Sequence, residues 1–331
     1  MITLNQIFTN NQPSLRAVET RFRAYKLSRA GAFCSYFAAD KFTLIEAMDT
    51  DTSRDSLMAE LEACGKTSID TLHITSWDDD HCEAGALEWI LTNLTPAKIE
   101  MPGYTHDSQN AEECERLIRA YKAKRASAGR NTSVVTVTPE YIAGLEKITA
   151  LGYQDIIYHP KKLYACSNDN STVKLFRTGC FNVLSMGDVE HNDIGALLKQ
   201  CRHLCREVDV LLLPHHGGQV DFLTKNFLDE LKPSIAVCTA NASNQHSHPH
   251  LTTTSLFSRE GIPLMTTRRG DVLIHSVGGH YGKYRALDLL SDGETTQREE
   301  DFTARKLHLM SQNADTIKNT LMRRNHGPRG R

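Results

Sequence analysis

The chain has 331 residues, with 38 Lys and Arg against 40 Asp and Glu, so the formal charge of -2 selects neither nucleic acid nor an anionic surface. Apolar residues make up 40% and the mean hydropathy is -0.40, enough for a buried core without the ~18-residue uncharged apolar stretch that a bilayer span needs. Nine scattered cysteines, odd in number and without a CxxC pair, read as reduced core thiols and exclude a disulfide frame or a zinc ribbon.

The amino terminus lacks a basic start followed by an apolar core and a small-residue cleavage site, so the expected location is the cytoplasm. Strands are predicted at 32–38 and 42–47, a helix at 56–64 stopping at Gly65, a strand at 71–75 and a helix at 83–94. Residues 101–130 form a helical excursion. Asn110 followed by Glu113 resembles a capping box, and the polar face carries Arg116, Arg119, Lys122 and Arg125. The alternation then resumes with strands at 173–177 and 181–186, a helix at 193–206, a strand at 208–213, a helix at 222–231, a strand at 234–239, a helix at 252–260 and two strands before Val277. Short strands alternating with helices indicate an α/β layered fold. The composition turns polar over 290–300. A helical pattern at 303–322, with Leu307, Met310, Ile317 and Leu321 on one face, suits docking onto the domain, a protein partner or self-association. The expected division is one domain over 1–285 and a helical extension with a basic tail over 286–331.

Three apolar strand patterns end directly in metal-capable residues: TLHIT then SWDDDH, NVLSM then GD, and DVLLL then PHHGG. In an α/β sheet the strand ends open into one crevice, so clusters from different strands can converge. Asp78, Asp80 and His81 lie close enough in one loop to reach a common cation. Asp188, the pair His215 and His216, and the dense group His246, His248 and His250 supply the remaining candidates, with His248 expected to face the site. An acidic helix start, a turn carboxylate or a hydrogen-bonded histidine pair explains each cluster singly but not their recurrence at strand ends.

The order LIEAM, SWDDDHCEAG, NDNSTV, MGD, PHHGG and NQHSHPH resembles the metallo-β-lactamase fold, and within it the soluble hydrolase domain of the competence protein ComEC. The resemblance implies an αββα sandwich, here with a C-terminal helical extension. It casts Asp78, Asp80 and His81 as ligands from the first loop, Asp188 as a carboxylate bridging two metal positions, His215 as a further ligand and His248 as a catalytic group at the leaving atom. Asp80 doubles as a catalytic residue. Glu46 stands where the family has a first-strand Asp and is expected to orient a ligand through a hydrogen bond. Ser76 stands in place of the first loop histidine, so one cation position should be tight and the other weak or absent. Asp79, His216 and His246 are expected around the ligands, and His159 is a less favoured replacement ligand.

The cation implied is divalent: Zn²⁺ or Mn²⁺, with Mg²⁺ a third choice for a carboxylate-rich set. Its expected use is to supply hydroxide for hydrolysis of a phosphodiester in DNA or RNA, with Arg268 and Arg269 joining the basic helix face in a groove. Solitary relatives accompany bacterial defence modules, which sets one expected context. The alternatives are hydrolysis of a cyclic nucleotide or other small molecule, and a degenerate metallohydrolase serving as a complex component.

Overall fold

Side chains alternate across the strands, and in this chain both faces of most strands are apolar, which requires cover on each side. The computed structural model describes residues 18–146, 154–242 and 248–306. Two sheets result. The nine-stranded sheet contains β1 (Thr20–Ala24), β2 (Cys34–Ala38), β3 (Lys41–Ile45), β4 (Thr71–His73), β5 (Lys98–Pro102), β6 (Ser133–Val137), β13 (Val272–Val277), β14 (Lys283–Leu289) and β15 (Thr296–Thr303). Its order is β15-β14-β13-β1-β2-β3-β4-β5-β6, antiparallel as far as β3 and parallel from β3 to β6. The six-stranded sheet runs β12 (Leu264–Thr266), β11 (Ile235–Cys238), β10 (Val210–Leu212), β9 (Val183–Ser185), β8 (Val173–Phe176) and β7 (Ile156–His159).

Phe22, Ala24, Cys34 and Tyr36 from the first sheet meet Phe176, Val183, Val210, Leu212 and Val237 from the second in a core between the sheets. The intervening residues Phe33, Phe37, Leu44 and Leu72 face outward instead. There they pack under α1 (Asp51–Ala63), α2 (Ala84–Asn93) and α3 (Gln109–Ser127) through Leu57, Leu61, Leu87, Ile90 and Ile118. Leu184, Leu211, Ala236 and Cys238 do the same under α5 (Asn192–Lys199), α6 (Arg202–Glu207), α7 (Lys225–Leu231) and α8 (Leu251–Arg259). A short α4 (Pro139–Glu146) follows β6. The layers are αββα, as expected. No helix among the described residues is long and apolar enough to cross a membrane.

The structure departs from the sequence reading at several boundaries. The expected helix 193–206 is two helices, α5 and α6, separated at Gln200 and Cys201. The expected boundary at 285 falls inside β14, and β14 and β15 extend the nine-stranded sheet where a helical extension was expected. Tyr284 and Ala286 of β14 join the core between the sheets, while Arg285 pairs with Asp301 of β15 at 2.7 Å. Most of the expected helix 303–322, and the basic tail, lie outside the described residues. Ser108, not Asn110, caps α3, accepting from the Ala111 N–H; Asn110 instead ties the excursion to Cys82 and Ala84.

Candidate metal centre

The carboxyl ends of β4, β9 and β10 meet at one end of the sandwich, and backbone bonds lock the loops that follow them. Ala47 N–H donates to the His81 carbonyl at 2.8 Å and Ala32 N–H to the Asp80 carbonyl at 3.0 Å. His215 N–H donates to the Gly187 carbonyl at 3.0 Å, joining the loops after β9 and β10. Gly187 has φ of +54, and a Cβ there would lie 2.6 Å from the Ser171 Cβ, so the turn that presents Asp188 needs a glycine.

Asp80, His81, Asp188 and His216 each bring one ligand-type atom into a group in which all such atoms lie within 4.8 Å of one another. His81, Asp188 and His216 are buried and Asp80 lies at the surface of the cluster. The supporting bonds decide which ring nitrogens point inward. His216 Nδ1 lies 3.1 Å from the Thr239 carbonyl, which can only accept, so Nδ1 carries the proton. His81 Nδ1 lies 3.1 Å from Glu46 Oε1, which fixes the same tautomer. Both Nε2 atoms are buried without an aligned hydrogen bond, although His81 Nε2 is only 2.9 Å from Asp188 Oδ1 and His216 Nε2 is 3.2 Å from Asp80 Oδ2. Two imidazole Nε2 atoms and two carboxylates thus face one point. That donor set fits a divalent cation.

The electrostatics agree. Burial alone would raise the Asp188 carboxyl and lower the His81 imidazole, but His81 and His216 hold Asp188 below its ordinary value, and Asp188 and Glu46 hold His81 well above its own. Among the described residues no lysine or arginine pairs with Glu46, Asp80 or Asp188, so the positive charge these carboxylates call for comes only from protonated imidazoles or from a bound cation.

The expected ligands Asp80, His81 and Asp188 come together; Asp78 and His215 do not join them. His216, expected only as a supporting residue, takes the place given to His215. Both histidines adopt left-handed backbone, φ 48 and 50, and this reversal turns the His216 ring inward while His215 Nδ1 pairs with Glu190. Asp78 Oδ2 accepts from Ser76 Oγ at 2.8 Å and from Ser167 Oγ at 3.3 Å. Asp79 is exposed. His159 is buried with its Nε2–H donating to the Asp169 carbonyl at 2.7 Å, away from the cluster. His248 lines a small cavity with Asp80, His215, His216 and Asn241, its ring centroid 5.3 Å from that of His215. His246 lies outside the described residues. Sequence reasoning missed Thr239 and Glu190; the single signal for Glu190 is its place two residues after Asp188.

No family model matches the chain. Over 208 residues it is 24% identical to ComE operon protein 3 of Bacillus subtilis, a match covering 58% of this chain; it spans 26% of that relative's length. Solved structures that resemble it include the metallo-β-lactamase fold protein YhfI of Bacillus subtilis, with TM-score 0.48 and 11% identity, covering 78% of this chain and 100% of that one. Another is Igni18, a metallo hydrolase of Ignicoccus hospitalis, with TM-score 0.42 and 14% identity over 76% of this chain and 98% of that one. The diiron β-hydroxylase CmlA of Streptomyces venezuelae matches with TM-score 0.45 and 13% identity over 78% of this chain and 54% of that one. In the order of its motifs and in the layers that carry them, this chain resembles metallo-β-lactamase-fold hydrolases of the ComEC type.

Proposed function

We propose that this chain is a metal-dependent phosphodiesterase whose leading substrate is DNA or RNA. The observation that carries the reading is the convergence of Asp80, His81, Asp188 and His216, with both Nε2 atoms aimed inward and, among the described residues, no lysine or arginine paired with the carboxylates. Nucleic acid enters from the ComEC-type motif order. When bound, a divalent cation at this place acidifies water and offsets charge on a nonbridging phosphate oxygen. Glu46 and the Thr239 carbonyl keep the two imidazoles in the tautomer that binds a cation. Glu190 holds His215 through Nδ1, leaving Nε2 as that ring's polar atom for substrate. In this reading His248, which lines the cavity beside His215, donates a proton to the departing oxygen.

One observation favours a smaller diester, such as a cyclic nucleotide. Arg116 pairs with Glu113 and Arg119 with Glu115, so two residues expected to line a phosphate groove are neutralised on their own helix. The chain loaded with Mn²⁺, Zn²⁺ or Mg²⁺ should be assayed on single- and double-stranded nucleic acid, cyclic nucleotides and bis(p-nitrophenyl) phosphate. Turnover of a diester that Asp80→Ala abolishes supports the reading, and polymer against cyclic substrate separates its two forms. A loaded protein that cleaves no diester overturns it. His248→Ala should keep the cation and lose turnover.

A further inference from the structure

We infer that the centre holds a single divalent cation, because the second position implied by the motifs is closed by a hydrogen-bonded plug of Ser76, Asp78, Tyr104 and Ser167. This rests on the reading that Asp80, His81, Asp188 and His216 hold a cation. Counting donors shows the closure. Trp77 N–H donates to the Tyr104 hydroxyl oxygen at 2.8 Å, which leaves the Tyr104 O–H to donate to Ser76 Oγ at 2.9 Å. Asp78 N–H also donates to Ser76 Oγ at 3.2 Å, and the Ser76 O–H donates to Asp78 Oδ2 at 2.8 Å. A serine hydroxyl has one proton and two lone pairs, and all three are engaged here. Ser76 therefore offers a cation nothing. Burial, with Asp78 adding to it, pushes the Tyr104 phenol up to about 12, so it retains the proton that it donates.

Asp188 supplies an independent argument. A carboxylate bridging two cations turns one oxygen toward each. Here Oδ1 lies 2.9 Å from His81 Nε2 and Oδ2 lies 3.7 Å from His216 Nε2, so both oxygens face the same group of ligands. Asp78 has a different role: through Ser167 it pins the turn at Asn168–Asn170, from which Asn168 donates to Glu190 at 2.8 Å, the carboxylate that holds His215. The plug ties the first loop to the mouth of the cavity.

The test is cation stoichiometry of the full chain, stripped with chelator and titrated with Mn²⁺ and with Zn²⁺ by calorimetry, with metal content read by mass spectrometry. One equivalent is expected in the unmodified protein and in Asp78→Asn, with Kd in the variant within about threefold. Two equivalents in the unmodified protein, or loss of one on Asp78→Asn, overturns the inference and leaves the metal centre standing. No binding overturns both. Should Asp78→Asn fail to fold, the unmodified stoichiometry decides. For the anchoring role, amide exchange over residues 160–171 should quicken in Asp78→Ala and return toward the unmodified rate in Asp78→Asn, whose side-chain oxygen still accepts. Unchanged exchange in Asp78→Ala overturns it.

Discussion

Two buried ionic clusters lie on the same strand system and differ in one respect. Between the sheets, Glu100 of β5 meets Lys174 of β8 at 2.7 Å and Lys98 at 2.5 Å, with His73 of β4 at 2.9 Å. This carboxylate carries its own cations, which hold it well below its ordinary value against the effect of burial. At the ends of the strands, Asp80, Asp188 and Glu46 gather around His81 and His216 with no lysine or arginine pairing them among the described residues. Burying uncompensated carboxylates costs several kcal/mol. A cluster that carries its own lysines is explained by the fold, whereas carboxylates met only by imidazoles, whose protons a cation can displace, suit a ligand.

Breaking the open cluster should have the largest effect. Asp188→Asn removes the central carboxylate, so metal content should fall to background and metal-dependent hydrolysis should vanish. The unmodified chain should gain about 2.7 kcal/mol of stability at a cation concentration of 100 times Kd, and the variant none. Thermal unfolding with and without Mn²⁺ checks this. Retained metal and activity would place the cation elsewhere.

Breaking the closed cluster should act on stability alone. Lys174→Met leaves Glu100 with the half-exposed Lys98 and a buried histidine as its partners, and should cost about 3 kcal/mol, the low end for breaking a buried pair, in urea unfolding. Cation stoichiometry should not change. A lost cation in this variant would show that the two clusters are coupled and that the contrast drawn between them is false.

A further buried imidazole, outside both clusters, sharpens the contrast. His159 donates to a backbone carbonyl, and burial pulls its pKa down to about 4 from 6.5. The unfolded chain therefore binds a proton that the folded chain refuses. Stability is fully present above about pH 6.5 and is lost as the pH falls toward 4, by about 3 kcal/mol from this residue. His159→Gln can still donate to Asp169 while no longer titrating, so the difference between the two proteins in unfolding free energy should narrow over that window. A constant difference would mean that His159 is not buried in its neutral form.

The sequence makes Asp80, His81 and Asp188 legible because each follows an apolar strand and strand ends converge. Choosing between His215 and His216 needs more. The two are adjacent and chemically identical, and the choice is made by left-handed backbone at both positions and by the Thr239 carbonyl, which arrives from β11. Asp78 is hard to read for a similar reason, since the hydroxyls that occupy it come from Ser76, two residues away, and Ser167, distant in sequence. β1 is masked by Arg21 and Arg23, whose charges are met by Glu60 and Asp271. β15 is an edge strand with most residues exposed, so it shows no apolar alternation, and its charges guard an unpaired edge.

The smallest effect tests whether the open cluster depends on its supporting shell. Glu46 is buried, has φ of 71 and accepts three donors: Thr75 N–H at 2.9 Å on Oε2, and Thr75 Oγ at 2.5 Å and His81 Nδ1 at 3.1 Å on Oε1. Glutamine keeps the length and one acceptor. Its amide group must face either the Thr75 N–H or the shared Oε1 position, and in either orientation a donor meets a donor. With the oxygen left on His81, the imidazole keeps its tautomer but loses the charge that makes it a better ligand. Cation affinity should fall about 10- to 100-fold in Glu46→Gln with stoichiometry unchanged, as is usual for a partner behind a ligating histidine. Calorimetric titration reads this directly. An unchanged Kd would mean that the His81 ring is held by packing against its neighbours, and that Glu46 is retained for the Thr75 loop instead of for the metal centre.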